Sequence, residues 1–262
     1  MSRHRVLSFV VVLFAGTLML SGCSGGPSEE EQAQAALGEQ LAAIEQSYAE
    51  LQTARDELAA AEARLVELEA MSDLDDEQQA ELDALPARIE ELAAGRDASF
   101  ETLQNQLAEF LNVALNEFPQ APETERALEI YAKEGLLTAA DVVVKAGDYS
   151  KAMDQLRSIQ SYYEMVDLEP YPELEERIAL YDDWRFITQE RFDEIKKGMT
   201  KDEVREIAGV PYFQNIQVDE ERGVETWLYK KREGGGAAIY FKTNNDKVYA
   251  TNFEAIKTKV VE

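Results

Sequence analysis

The sequence predicts an α+β protein, in which a long helical N-terminal part precedes a small domain of helices and antiparallel strands. Apolar residues recur at helical spacing over most of residues 29–189, and strand-like runs with hairpin turns follow in the last part of the chain. The charge changes at the same place: residues 29–110 carry 22 acids and 4 bases, whereas residues 190–262 carry 14 and 13. The sequence therefore predicts separate helical and mixed regions.

The composition argues against several classes of function. With 26 Lys+Arg against 52 Asp+Glu, the net charge of −26 argues against nucleic acid as a partner, because phosphate binding needs a surplus of cations. His4 and Cys23 are the only residues of their types, which leaves no internal disulfide, no Cys/His zinc site and no histidine-based catalytic triad. We therefore expect a protein that is not an enzyme and that uses no cofactor and no metal.

The N-terminus has the organisation of a secretion signal. Arg3 and Arg5 precede an uncharged apolar stretch at residues 6–20, which is shorter than the roughly 20 residues of a membrane-spanning helix. The stretch leads into Leu-Ser-Gly-Cys at residues 20–23. This tetrapeptide resembles the bacterial lipoprotein box, in which the cysteine is acylated and becomes the new N-terminus after cleavage.

The lipoprotein resemblance implies a location for the protein. It implies a signal peptide at residues 1–22, a lipid such as palmitate on Cys23, and anchorage in the bilayer through that lipid. Because Ser24 is not Asp, it further implies the periplasmic face of the outer membrane. Residues 23–28 are mostly small and are predicted to form a tether.

Residues 29–97 are predicted to form a helical hairpin with a heptad-like, coiled-coil pattern. Arg55 and Glu62 occupy two positions of its otherwise apolar seam. The seam consists of Leu37, Leu41, Ile44, Tyr48, Leu51, Leu58 and Leu65. We place the turn near residues 71–76, with Ser72-Asp73 as the cap of the second helix, and we expect Pro86 to kink or interrupt that helix.

Residues 98–189 are predicted to be helical as well. The expected helices cover residues 100–118, 123–145, 148–166 and 173–181. The motif Ala-Gly-Asp-Tyr-Ser-Lys-Ala at residues 146–152 offers Gly147 as a helix C-cap and Asp148 as the next N-cap. This motif resembles the turn of a tetratricopeptide repeat (TPR), which implies a TPR-like helical region and, as an alternative function, a scaffold that binds peptides in a helical groove.

Residues 190–262 are predicted to form two short helices and a three-stranded antiparallel sheet. Thr200 and Glu203 have the spacing of a capping box, and Gly209 and Pro211 end the helix that follows it. The strands are expected at residues 224–231, 237–242 and 248–253, with turns at 234–236 and 244–246.

Four sequence features of this last region occur together. They are the segment I-x-x-G-M-T-x-x-E-V from Ile195, the G-x-P at 209–211, and the aromatic strands at 227–229 and 239–241. This combination resembles the SmpA/OmlA (BamE-like) family of outer-membrane β-barrel assembly lipoproteins. The resemblance implies a non-catalytic protein-interaction module in envelope or β-barrel assembly, with envelope proteins such as β-barrel assembly components as partners. The residues expected to contact a partner are Gly198, Met199, Thr200, Val204, Trp227 and Tyr229.

Other interpretations remain open at this point. The chain could be a TPR-like scaffold with a purely structural C-terminal domain, an inhibitor of a periplasmic enzyme that acts through its sheet face, or a carboxylate hydrolase. The basic triplet at residues 230–232 predicts either a contact with acidic lipid headgroups or a charged strand end that prevents edge pairing. The acidic cluster at residues 73–77 is interpreted as a helix N-terminus rather than a calcium site.

Overall fold

The computed structural model describes residues 28–256, so the predicted signal peptide and Cys23 lie outside the described residues. The helices are α1 (Glu29–Glu69), α2 (Asp76–Glu117), α3 (Pro122–Ala146), α4 (Tyr149–Met165), α5 (Pro172–Trp184), α6 (Gln189–Glu194) and α7 (Lys201–Ala208). A short 3-10 helix (Phe213–Asn215) precedes strands β1 (Ile216–Asp219), β2 (Val224–Lys230), β3 (Gly236–Lys242) and β4 (Lys247–Ile256). The predicted α+β class is confirmed. None of the described helices combines the length and apolar character needed to cross a bilayer.

Helices α1 and α2 form the predicted antiparallel hairpin, but the cap of α2 differs from the prediction. The Asp75 carboxylate accepts a hydrogen bond from the Gln78 amide at 2.9 Å, and the Gln78 side chain accepts one from the Asp75 amide at 3.0 Å. This reciprocal capping box satisfies two free amides at once, so α2 begins after Asp75 rather than after Ser72-Asp73. At the start of α1, Ser28 forms a second capping box and belongs to the helix cap, not to the predicted tether.

Helix α2 is one continuous helix, so the predicted interruption at Pro86 does not occur. Pro86 lies inside it, and the predicted boundary between residues 97 and 98 falls in its middle. A proline removes one backbone hydrogen bond and crowds the preceding turn. Buried side chains nevertheless continue on both sides of Pro86, from Leu85 to Leu103 and Leu107, so packing maintains the helix across this point.

The polar seam residue Arg55 joins α1 to α3. Its two terminal nitrogens donate to the two carboxylate oxygens of Glu134, at 2.7 and 2.6 Å. The Glu134 carboxylate is almost fully buried and also accepts a hydrogen bond from Gln52 at 3.3 Å. A buried carboxylate is costly unless it is paired in this way. Arg55 therefore interrupts the apolar seam at the point where a third helix reaches the hairpin.

Helix α3 packs on the hairpin, α4 packs on α3, and α5 packs on α4, and all of them share one main core. Gly147 ends α3 in the left-handed conformation, with a φ of 63°, and the Asp148 side chain accepts from the Lys151 amide to cap α4. Both caps match the sequence analysis. The TPR-like character of this region stays a prediction.

The sheet has four strands in the order β1-β2-β3-β4, one more than predicted. β1 has only four residues, and its Ile216 lies opposite Trp227 of β2. So short a run carries little sequence signal, and its pairing with β2 is what makes it a strand. The C-terminal core includes Ile187, Phe192, Val204, Trp227, Ile239 and Phe241. Because Ile187 belongs to it, this core begins before the predicted boundary at residue 190.

Candidate interaction surfaces

The predicted contact residues Gly198 and Met199 lie in a loop that pairs with the edge of β4. The Gly198 amide donates to the Val248 carbonyl, and the Val248 amide donates to the Met199 carbonyl, both at 2.8 Å. Gly198 has a φ of 95°, a region that residues with a Cβ rarely adopt, although the space around it is open. The glycine is therefore required by the backbone conformation, and the loop is held in place on the sheet.

Thr200 and Glu203 form the predicted capping box at the start of α7. The Thr200 hydroxyl accepts from the Glu203 amide at 3.3 Å, and the Glu203 carboxylate accepts from the Thr200 amide at 2.7 Å. The hydrogen bond from the Thr200 amide lowers the pKa of Glu203, because it favours the ionised carboxylate. Gly198 and Thr200 are exposed and Met199 is half-buried, so a partner can reach this loop.

Val204, Trp227 and Tyr229 lie in the C-terminal core, which corrects the prediction that they contact a partner. Trp227 is 1% exposed, and its ring packs against Phe241 with ring centroids 4.5 Å apart. Its indole N–H donates to the Glu225 carboxylate at 2.7 Å. Strand alternation alone does not decide which face of the sheet Trp227 and Tyr229 occupy. In the structure, α6 and α7 pack on the face that carries these two side chains, so both point into the core.

Lys201 connects the loop and α7 to the sheet. Its ammonium group lies 2.7 Å from Glu225 of β2 and 2.8 Å from Asp246 in the turn before β4. Burial lowers the pKa of Lys201, but the hydrogen bonds that its ammonium group donates to Asp246 and Glu225 outweigh this effect and raise the pKa overall. The exposed loop therefore sits on a charge-paired support and keeps a defined position.

The motif at residues 146–152 and the G-x-P segment at residues 209–211 meet at a junction between the helical region and the C-terminal domain. The Val210 amide donates to the Tyr149 hydroxyl at 3.0 Å, and burial raises the pKa of that hydroxyl. A Cβ on Gly147 would lie 2.2 Å from the Pro211 carbonyl oxygen, which shows how closely the two backbones approach. From the sheet, the Tyr229 hydroxyl of β2 donates to the Gly209 carbonyl of the G-x-P segment at 3.0 Å. The G-x-P segment is therefore covered by this chain's own helices.

Two residues of the basic triplet form internal ion pairs, and both interpretations of the triplet stay predictions. Lys231 is buried, lies 2.7 Å from Glu254 and stacks over the Phe253 ring. Arg232 donates to both the carbonyl and the carboxylate of Asp182 in α5, at 3.0 and 3.1 Å. β1 pairs only with Val224–Trp227 of β2, so the basic triplet lies beyond the part of β2 that has a strand on both sides. Arg232 adds a second connection across the junction.

Two exposed apolar side chains beside the sheet were missed by the sequence analysis. Phe213 of the 3-10 helix is 52% exposed, and Val218 of the edge strand β1 is 57% exposed. Isolated exposed apolar residues are common, but these two lie five positions apart at one edge of the domain. The apolar alternation of Ile216 and Val218 was the available signal, and β1 was too short for it to be recognised.

The acidic turn of the hairpin caps a helix. Asp75 is the N-cap of α2, and Asp76 and Glu77 lie in its first turn, where negative charge is favoured. Within residues 28–256, no group of three His, Cys, Asp or Glu side chains is arranged to hold a metal ion.

Comparison with known proteins identifies the C-terminal part only. The chain matches neither a curated protein nor a solved structure. Residues 185–261, however, match the family model of the outer membrane protein assembly factor BamE domain. This range covers the loop at residues 198–200, the G-x-P segment and all four strands. A BamE (SmpA/OmlA-like) domain thus follows the long helical region of this chain.

Proposed function

We propose that this protein is a non-catalytic interaction module that acts at the outer membrane in the assembly of β-barrel proteins. The observation that carries the proposal is the BamE domain match at residues 185–261, which covers the C-terminal core. The fold by itself does not specify a function, so the proposal also depends on which surface of the domain is free.

Two exposed parts of the domain are the loop at residues 198–200 and the β1 edge with Phe213 and Val218. The aromatic strand residues are buried, and the G-x-P segment is covered by α3 and α4. An exposed aromatic side chain beside an edge strand can anchor a partner by apolar burial. We therefore assign partner binding to the β1 edge, with the loop at residues 198–200 as a second contact.

The proposed lipid on Cys23 confines this surface to the membrane. Only five residues separate Cys23 from α1, and they span at most about 18 Å. Along α1, Arg55 is about 39 Å from the start of the helix. Lys145, two residues before the junction at Gly147, lines the same cavity as Arg55. The helical region thus holds the BamE domain at a distance from the anchor. The anchor in turn raises the effective concentration of the domain at the membrane.

The proposal is tested by purification from envelopes in a mild detergent. We compare the wild-type chain with the double variant Phe213→Glu/Val218→Glu. The matched control is Leu137→Glu/Val144→Glu, which adds the same charge at two exposed apolar positions of α3. Point variants are preferable to deletion of the domain, because deletion would uncover Tyr149 and Gly147 at the junction.

β-Barrel assembly components should be recovered with the wild type and the control, and their yield should fall about tenfold with the Phe213/Val218 variant. Equal recovery with all three chains, or recovery with none, would contradict the proposal. The anchor is tested separately with Cys23→Ser, which should abolish labelling by a radioactive fatty acid. Persistent labelling would exclude Cys23 as the lipid site.

A further inference from the structure

Helices α2, α3 and α4 surround an open cavity of about 690 Å³, which we call the amide cavity. This volume lies within the range of small-molecule binding sites, about 300–1,000 Å³. The α2 wall of the cavity runs from Gln104 to Asn116, a rise of about 18 Å. Opposite this wall lie Tyr131 of α3 and both Tyr162 and Met165 of α4.

The α2 wall carries four side-chain amides, which belong to Gln104, Asn105, Asn112 and Asn116. Among the described residues, the side chains of Gln104, Asn105 and Asn112 have no hydrogen-bond partner. The Asn116 Nδ2 donates to the Asn112 carbonyl at 2.9 Å, which leaves the Asn116 Oδ1 as an acceptor. Ala108 lies one turn from both Gln104 and Asn112, and its small side chain leaves room between their amides.

Asparagine is confined to this wall over most of the chain. Residues 1–214 contain three asparagines, and all three line the amide cavity. Asparagine is a weaker helix former than the Ala, Glu, Leu and Gln that make up most of α2, because its side chain competes for backbone hydrogen bonds. Helix formation therefore does not explain these three residues, and the feature that they share is the cavity.

The amide cavity is uncharged in a strongly acidic protein. Of the described residues that line it, none carries a charge, although the net charge of the chain is −26. A charged ligand would find no ion-pair partner there, and an anion would also be repelled by the surrounding protein. An acyl chain would remove the amides from water without replacing their hydrogen bonds, which is costly. The cavity therefore favours a neutral ligand with many hydrogen-bonding groups.

A neutral sugar has these properties. Each sugar hydroxyl both donates and accepts, and a side-chain amide offers a donor and an acceptor side by side, so one amide can pair with two neighbouring hydroxyls. A sugar ring also has apolar C–H faces, which pack against aromatic rings because the ring face carries negative partial charge. Tyr131 and Tyr162 supply two such rings, with centroids 5.9 Å apart and planes inclined at 60°.

We propose that the amide cavity binds a short neutral oligosaccharide. The amides of Gln104, Asn105 and Asn112 bind its hydroxyls, and the two tyrosine rings contact its C–H faces. The α2 wall is longer than one sugar ring, so it accommodates an oligosaccharide. The proposal is independent of the role proposed for the BamE domain, because the cavity is built from residues 104–165 and the domain match begins at residue 185.

The experiment is a ligand-observed nuclear magnetic resonance titration of the full chain in phosphatidylcholine nanodiscs, which contain no sugar. The neutral probes are maltotriose and tri-N-acetylchitotriose, and trigalacturonic acid is the anionic probe. A capped neutral octapeptide of alternating serine and leucine tests for a peptide ligand. The test variant Asn112→Ala removes one amide of the cavity. The matched control Gln79→Ala removes an exposed amide of α2 that does not line the cavity.

We expect at least one neutral sugar to bind with a Kd of about 1 mM or below, and trigalacturonic acid to bind at least about tenfold more weakly. Asn112→Ala should weaken sugar binding about tenfold without lowering the melting temperature, because alanine is the better helix former. Gln79→Ala should leave sugar binding unchanged. The proposal is overturned if neither neutral sugar binds at about 10 mM, or if Asn112→Ala binds the sugar as tightly as Gln79→Ala does. Binding of the peptide alone, in a way that depends on Asn112, would also overturn it.

Discussion

The BamE domain and the outer end of the hairpin are stabilised by different means. We call residues 56–95 the hairpin arm, because they extend beyond the point where Arg55 contacts α3. The arm has few buried apolar side chains, which are Leu58, Ala61, Leu68 and Leu85. The arm carries 13 carboxylates and only two arginines, whereas charges nearly balance in residues 190–262. The domain has a larger core, built around Trp227, Ile239 and Phe241.

This difference shows that the two regions respond to different perturbations. The arm depends on a narrow seam between two helices, so it should open locally. The domain depends on side chains brought together from several strands and helices, so it should unfold as a unit. Four predictions test this comparison, in order of decreasing effect.

Trp227→Ala should have the largest effect. It removes the ring that packs against Phe241 and leaves a cavity in the domain core, at a cost of about 4 kcal/mol in the free energy of unfolding. Thermal unfolding followed by tyrosine fluorescence and far-ultraviolet circular dichroism should show early loss of the sheet, while most helical signal persists. A single transition that includes all helices would mean that the junction couples the two regions completely.

Leu68→Ala should destabilise the arm by about 3 kcal/mol, because Leu68 is fully buried in the arm core. Amide hydrogen exchange should become faster in residues 58–92 and stay unchanged in the four strands. Ala63→Gly on the exposed side of α1 is the control for loss of helix propensity, at about 1 kcal/mol. Faster exchange in the strands would refute the independence of the arm.

Tyr229→Phe tests the junction and should cost about 1 kcal/mol near pH 7, because it removes the hydrogen bond to the Gly209 carbonyl. Burial raises the pKa of the Tyr229 hydroxyl well above its ordinary value of about 10. The contribution of the neutral hydroxyl is therefore complete below about pH 10 and is lost as the pH rises towards the raised pKa. Urea unfolding should show a steeper loss of stability above about pH 10 in the wild type than in the variant. Parallel pH profiles would disprove this assignment.

Salt should have the smallest effect and should distinguish the two regions most directly. Raising NaCl from about 10 mM to about 1 M shortens the screening length from about 30 Å to about 3 Å. Repulsion among the arm carboxylates should weaken, and amide protection in residues 56–95 should rise. Protection in the BamE domain should change less, because its charges are balanced. An equal change in both regions would contradict the electrostatic part of the comparison.

Local features of the chain were predicted from sequence because they depend on neighbouring residues. The Thr200–Glu203 capping box, the Gly147 cap and the hairpin turns need only short spacings and the conformational preferences of a few residue types. Pro86 is the exception: its local rule predicted a kink or an interruption, and α2 continues through it without interruption. Among the candidate contact residues, Gly198 and Thr200 are exposed and Trp227 is buried, and contact of the loop at residues 198–200 with a partner stays a prediction.

By itself, the sequence determined the α+β class, the helical hairpin, the acidic character and the resemblance of the last region to BamE-like domains. Tertiary structure alone decided that β1 joins the sheet, that the G-x-P segment packs against Gly147, and that Arg55 pairs with Glu134. It also brought α2, α3 and α4 together around two cavities, which are lined by residues up to about 60 positions apart. The physical reason is that caps and helical spacing are properties of adjacent residues, whereas burial and grooves depend on which distant surfaces exclude water together.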